Sequence, residues 1–185
     1  MIGTFLDCGL IENKPLRLVP TGPDHLANCI NWLADPEINK YLITRFAITI
    51  DQEQSWFATK SKDPDSVIWS IELAGEHVGQ TGIENINRID RTGITGIFIG
   101  KQWWRKGIAT AVMRARAKYA FEELNFTALY TEVYQENEGS KKAAMKIGYK
   151  QYGVRPYAKY CQGRYLEAWL GYLDRENWLA NQDKV

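Results

Sequence analysis

The sequence lacks the features that mark several specialised classes of protein. Among its 185 residues are three cysteines, far apart and without a Cys-x-x-Cys pair, and two histidines. We therefore expect neither a disulfide framework nor a zinc site. No apolar run approaches the roughly 20 residues that a membrane-spanning helix needs. The start of the sequence lacks the basic and apolar regions of a signal peptide, which favours a cytoplasmic protein.

An excess of charge of one sign is also absent. The 23 basic residues almost balance the 22 acidic ones, which gives a net charge of +1. This balance argues against a broad electrostatic footprint for nucleic acid or for an anionic membrane, so any anion site has to be local. The hydrophobic content of 45% is ordinary for a globular protein, and the length suits one domain that spans residues 1–185.

Hydrophobic periodicity predicts a chain in which strands and helices are mixed. An antiparallel meander followed by a strand–helix–strand crossover indicates an α/β (α+β) fold, with a mixed central sheet of about six to seven strands and helices on both faces. Asp51 is the expected N-cap of the second helix, after an irregular segment at 36–50. The predicted strands span 16–19, 66–73, 77–86, 93–100, 127–134, 149–153 and 165–173, and the predicted helices span 25–33, 52–60, 108–124, 138–147 and 174–181.

The clearest chemical signal is the stretch 103–110, Trp-Trp-Arg-Lys-Gly-Ile-Ala-Thr. A strand leads into this basic turn, and a helix begins directly after Gly107. The first N–H groups of a helix and its dipole attract anions, and glycine lets the backbone approach a ligand closely. Arg105 and Lys106 add positive charge, so the stretch indicates a pyrophosphate site, with a solvated turn as the alternative. The phosphate-binding patterns of P-loop and Rossmann proteins are both absent.

The order of elements and several motifs resemble the GNAT superfamily of acetyl-coenzyme A-dependent N-acetyltransferases, over about residues 15–173. The pyrophosphate motif of that family is Gln/Arg-x-x-Gly-x-Gly/Ala, and the matching segment here is 104–109. Gly107 and Ala109 fit this motif, whereas Trp104 stands in place of Gln or Arg. That departure is similar to the RimJ/RimL-like branch, which is related to ribosomal-protein alanine acetyltransferases.

Further motifs support the same resemblance. Asn137 and Ser140, followed by a Gly-Tyr pair at 148–149, look like the N-x-x-S…G-F/Y signature, and the segments 32–37 and 163–165 are similar to the branch. The resemblance implies a single GNAT-type domain that uses acetyl-CoA as cosubstrate and no metal. The coenzyme-binding residues that it implies are Phe98, Ile99, Arg105, Lys106, Gly107, Ile108, Ala109, Thr110, Asn137 and Ser140.

Direct transfer of an acetyl group to an amine requires a neutral amine, a polarised thioester carbonyl and a proton donor for the leaving thiolate. A lysine-like amine has a pKa of about 10.4 and arrives protonated, which makes a general base useful. By the resemblance, Glu84 is the candidate base. Ser140 is the candidate acid, because the tyrosine that many relatives carry is Ala144 here. The alternatives are a salt bridge for Glu84, a helix cap or phosphate contact for Ser140, and Tyr134 or Tyr149 as the acid.

The resemblance places the acceptor between the first helical region and the last hairpin. A small-molecule or peptide amine is the expected partner, without nucleic acid or membrane, and homodimer formation stays open. The absence of a strongly acidic surface argues against polyamines and aminoglycosides. The alternatives are a non-catalytic acyl-CoA-binding or sensor module, and an aminoglycoside, polyamine or amino-sugar acetyltransferase. The expected acceptor-binding residues are Trp32, Tyr41, Arg45, Glu84, Tyr157 and Glu167.

Overall fold

One mixed sheet organises the molecule. The computed structural model describes residues 1–44 and 46–181, and its strands lie in the order β1-β2-β3-β4-β5-β6-β8-β7. The strands are β1 Leu6–Ile11, β2 Lys14–Pro20, β3 Val67–Leu73, β4 Glu76–Asn87, β5 Thr92–Ile99, β6 Ala128–Tyr134, β7 Lys150–Cys161 and β8 Arg164–Asp174. The helices are α1 Leu26–Ala34, α2 Pro36–Asn39, α3 Ile50–Lys60, α4 Ile108–Glu122, α5 Glu138–Lys146 and α6 Arg175–Leu179.

The predicted mixed α/β sheet is confirmed, but it has eight strands in place of six to seven. The additional strand is β1, which pairs antiparallel with β2 through a tight turn at Glu12 and Asn13. Both turn residues have a positive φ, 50° and 63°, as a two-residue hairpin of the primed type requires. Strand β1 was not predicted because its residues do not alternate, and because its turn carries Glu-Asn instead of Asn-Gly.

Two helix starts differ from the prediction. Thr49, and not Asp51, caps α3: its Oγ1 accepts from Gln52 N at 3.3 Å, and Gln52 Oε1 accepts from Thr49 N at 3.0 Å. This reciprocal pair is a capping box, which satisfies two otherwise unpaired donors. The segment predicted to be irregular also contains α2, where the Asp35 carboxylate accepts from Glu37 N at 2.9 Å.

Strands β5 and β6 form a fork. They run parallel and pair only over residues 92–94 and 128–130, whereas β5 pairs with β4 along its whole length. Beyond the base of the fork, the Thr95 carbonyl accepts from Thr131 Oγ1 at 3.2 Å, and the Ile99 carbonyl accepts from Trp104 Nε1 at 2.7 Å. Because backbone groups alternate along a strand, the N–H and C=O of Ile97 face the gap as well.

A buried polar network fixes the base of the fork. The Arg116 guanidinium of α4 is 2% exposed and donates from Nη1 to Thr81 Oγ1 at 2.5 Å and to the Gly96 carbonyl at 2.7 Å. Burial lowers the pKa of Arg116, and the neighbouring Tyr149 hydroxyl opposes that shift. The network ties α4 to β4 and β5, so the β5 arm of the fork has a rigid origin. No helix in the described part of the chain is long and apolar enough to cross a membrane.

Candidate active site

Two adjoining cavities open on the fork. One has a volume of about 500 Å³ and reaches from the fork to the start of α4, and the other has a volume of about 860 Å³ and lies over β4, β5 and β6. Their linings share residues, so ligands in the two cavities can meet at one wall. The shared residues are Tyr41, Leu42, Ile97, Phe98, Asn137 and Ser140. We call the first the fork cavity and the second the acidic cavity.

The start of α4 gives the fork cavity its anion-binding character. Gly107 is the N-cap, with a left-handed φ of 82°, and no side chain caps the helix. A Cβ at this position would meet only Ile11 Cδ1, at 3.8 Å, so the approach to the backbone is open. The first N–H groups of α4 are therefore free to bind an anion. The start of α4 is thus open to an anion, and its use as a pyrophosphate site stays a prediction.

Positive side chains surround the same cavity, and two of them were not predicted. Arg105, Lys142 and Lys146 line it, and none of them forms an ion pair with another described residue. The signal in the sequence was the i,i+4 spacing of Lys142 and Lys146, which places both on one face of α5. Lys106 is placed differently: its Nζ lies 4.8 Å from the ring centroid of Trp103, and it is outside the lining.

Trp104 has a structural role that its place in the motif did not reveal. Its Nε1 donates to the Ile99 carbonyl at 2.7 Å, and its ring lies 6.3 Å from that of Tyr41. The indole N–H is thus bonded to the last backbone carbonyl of β5 that faces the gap, and the ring closes that end of the fork. Ile97 is left as the residue whose backbone groups can pair with an extended, peptide-like ligand, in the manner of an added strand.

The shared wall contains the candidate proton donor. Asn137 is the N-cap of α5, and its Oδ1 accepts from Ser140 N at 3.2 Å, so Ser140 itself is not the cap. Ser140 lines both cavities, and its Oγ has no hydrogen-bond partner among the described residues. Ala144 is 1% exposed and belongs to the core. Tyr149 is buried, lies outside both linings, and shares a 3.0 Å hydrogen bond with Thr95 Oγ1.

The acidic cavity collects glutamates from three separate elements. Glu53 of α3, Glu84 of β4 and Glu132 of β6 all line it. Glu84 Oε2 accepts from Lys60 Nζ at 2.7 Å, and Glu132 is paired with Arg155. The sequence analysis did not foresee this group of carboxylates, although two of the three are neutralised by a basic partner. A search for acidic runs cannot detect carboxylates that are brought together by folding.

Of the predicted acceptor residues from the first helical region, one lines the cavities and another does not. Tyr41 lines both cavities, and its contact with the acceptor stays a prediction. Trp32 is 9% exposed and lies outside both linings; its ring packs 6.3 Å from Phe98 and supports that side chain from behind. Arg45 lies outside the described residues.

The predicted acceptor residues from the last hairpin lie away from both cavities. Tyr157 is 77% exposed and packs its ring 5.4 Å from that of Tyr165. Glu167 is exposed on β8 and is also absent from both linings. Strand β7, which was predicted to end at 153, continues to 161 across two register shifts. These shifts change which side chains face the fork, and they are not visible in the sequence pattern.

Residues 15–150 match the sequence model of a family described as Acetyltransferase (GNAT) domain. The chain belongs to the GNAT acetyltransferases. This confirms the family that the motifs around Gly107 and Asn137 indicated.

The chain is also similar to individual acetyltransferases, in sequence and in fold. The chain is 30% identical over 98 residues to spermidine N(1)-acetyltransferase of Escherichia coli K12, a match that spans 53% of each chain. Its fold is similar to that of Vibrio cholerae spermidine N-acetyltransferase in complex with CoA and spermine, with a TM-score of 0.84, 21% identity, and coverage of 89% and 98% of the two chains. It is also similar to RimL, a ribosomal L7/L12 alpha-N-protein acetyltransferase in complex with coenzyme A, with a TM-score of 0.82, 12% identity, and coverage of 92% and 98%.

A buried lysine holds the shared wall of this GNAT site. Lys159 of β7 is 4% exposed, and its Nζ donates to the carbonyls of Asn39 and Lys40 at 3.1 and 2.9 Å, and to that of Leu42. These carbonyls end α2 and lead into the segment that carries Tyr41. Lys159 therefore positions the part of the wall that touches both cavities.

Replacing Lys159 with Met is expected to destabilise the protein by about 1–3 kcal/mol, because it leaves three partly buried carbonyls without this donor. It should also raise KM for both substrates, since the segment it holds lines both cavities. Urea unfolding and steady-state kinetics measure the two effects. Lys150→Met, at the exposed start of the same strand, is the control. Equal stability of the two variants would contradict this role.

Proposed function

We propose that this protein transfers the acetyl group of acetyl-CoA directly to a primary amine, either of a peptide N-terminus or of a small molecule. One observation carries the proposal: a cavity with an uncapped helix N-terminus and a cavity with carboxylates share one wall, at the fork of a GNAT domain. The first suits an anionic coenzyme and the second suits a cationic acceptor. In this proposal residues 1–185 form a single acyltransferase domain.

The coenzyme side rests on contacts that the backbone offers. The N–H groups at the start of α4, beside Gly107, bind the pyrophosphate, and Arg105 with the two lysines of α5 surrounds it. The Ile97 backbone pairs with the amide groups of the pantetheine arm along the gap. The acetyl group then lies at the shared wall, near Phe98 and Ser140.

The chemistry follows from the groups at this wall. Acetyl-CoA supplies an activated acyl group as a thioester. Glu84 takes a proton from the acceptor ammonium, the amine nitrogen attacks the carbonyl carbon, and the carbon–sulfur bond breaks. Ser140 donates a hydrogen bond to the leaving thiolate, which then takes a proton as the product amide loses one. Glu84 lines the acidic cavity on β4, the strand that pairs with the β5 arm of the fork, which is why we retain it as the base.

An assay of free thiol release from acetyl-CoA, run across a panel of primary amines and short peptides, tests the proposal. We expect turnover that depends on both substrates, with a one-to-one ratio of thiol to acetylated amine. The absence of a tyrosine at Ala144 supports the alternative of a non-catalytic acyl-CoA-binding module. Tight coenzyme binding without turnover on any amine, together with no effect of Glu84→Gln, would favour that alternative.

A further inference from the structure

One carboxylate of the acidic cavity, that of Glu53, forms no ion pair within the described part of the chain. Glu53 is 4% exposed, lines the cavity, and makes no hydrogen bond or ion pair with any described residue. Burial is the cause that raises the pKa of its carboxyl above the ordinary value. Burying a charged group without a partner is unfavourable, and proteins keep such groups mainly at functional sites.

Among residues 1–44 and 46–181, no cation pairs with Glu53. The other two glutamates of the cavity are paired with Lys60 and Arg155. Cys29 of α1 is near enough to feel the charge of Glu53, and its pKa rises to about 12 through burial and then through that charge. That thiol is therefore neutral and offers no positive charge. The position of Glu53 in the first turn of α3 favours its negative form, because the helix dipole is positive there.

We propose that Glu53 binds a cationic group of the acceptor other than the amine that is acetylated. This inference rests on the proposed function, in which the reacting amine is neutral when it attacks. A carboxylate that keeps an ion pair throughout the reaction must therefore hold a different group. The acceptor class that follows is an amine with a second positive charge, such as a diamine. A charge-assisted hydrogen bond to the buried carboxylate then discriminates it from a monoamine of the same length.

The test compares two acceptors, 1,4-diaminobutane and butylamine, which differ by one ammonium group. In Glu53→Gln we expect kcat/KM for the diamine to fall about tenfold or more, the loss of one hydrogen bond to a charged group, with butylamine unchanged. Asp51→Asn is the matched control, because it removes an exposed carboxylate from the same helical turn, outside the cavity. It should change either value by no more than about twofold. An equal loss with both acceptors, or no loss with the diamine, would overturn the inference.

Two measurements separate this inference from the proposed function. Calorimetric titration of the coenzyme A-loaded protein with 1,4-diaminobutane measures binding in the absence of turnover. The affinity should be lower in Glu53→Gln than in the wild type. If that weakening is seen but no amine is acetylated, the proposed reaction fails while the Glu53 site stands. The melting temperature of Glu53→Gln at pH 7 should equal or exceed that of the wild type, since the change removes an unpaired buried charge. A lower value would show that Glu53 stabilises the fold through a partner, and would overturn the inference.

Discussion

Replacing Gly107 with Glu is expected to abolish coenzyme A binding, with at least about a 100-fold rise in Kd. Two effects add. The left-handed φ of 82° is unfavourable for any residue with a Cβ, and distortion of the turn would misdirect the first N–H groups of α4. The new carboxylate would also occupy the helix N-terminus in place of the pyrophosphate and would repel it. Calorimetric titration with coenzyme A measures the effect.

A matched substitution at Gly75 distinguishes blocking of the anion site from strain in the backbone. Gly75, in the turn between β3 and β4, has the same φ of 82°, a Cβ there would meet no atom within 4 Å, and the residue lies outside both cavities. Gly75→Glu should lower stability by a similar amount and leave the coenzyme affinity unchanged. Gly107→Ala should fall between the wild type and Gly107→Glu, because it adds strain without charge. Coenzyme A affinity of Gly107→Glu equal to that of the wild type would remove this turn as the pyrophosphate site.

Gly107 could be predicted from the sequence because everything that gives it a role is local. A strand, a basic turn and a helix start lie within a short stretch, and the proposed anion site uses the backbone of that stretch alone. The cap of α5 is also local, although the sequence analysis offered Ser140 for it and the structure has Asn137. Features of this kind follow from short-range rules for helix ends, so the structure reproduces them.

Glu53 could not be predicted, because its significance depends on what is missing around it. It is one of many acidic residues in a polar helical stretch, and only the packing of α1 and α3 over the sheet buries it. Ile97 and Lys159 are similar cases. The backbone groups of Ile97 are left without a strand partner because β6 diverges from β5. Lys159 is about 120 residues away in sequence from the carbonyls at the end of α2 that it contacts. Such arrangements are set by tertiary structure and leave no periodic signal.

Glu84→Gln is expected to lower kcat/KM by about 10² to 10⁴-fold near neutral pH, the range for loss of a general base. The loss should be largest at low pH. Without a base, the variant depends on amine that is already neutral, and that fraction falls tenfold for each pH unit below a pKa of about 10.4. A plot of log kcat/KM against pH should therefore rise with a slope of about one in the variant and be flatter in the wild type.

Glu132→Gln is the control for this experiment, because Glu132 also lines the acidic cavity and is also ion-paired. Its pH profile should keep the shape of the wild type. The fold should tolerate Glu84→Gln, because Lys60 keeps Asp63 as a partner at 3.4 Å. A loss of the same size at every pH would mean that Glu84 only binds the acceptor, and no loss would remove it from the reaction. In either case the proton would have to leave by another route, and Glu53, the unpaired carboxylate of the same cavity, would be the next residue to test.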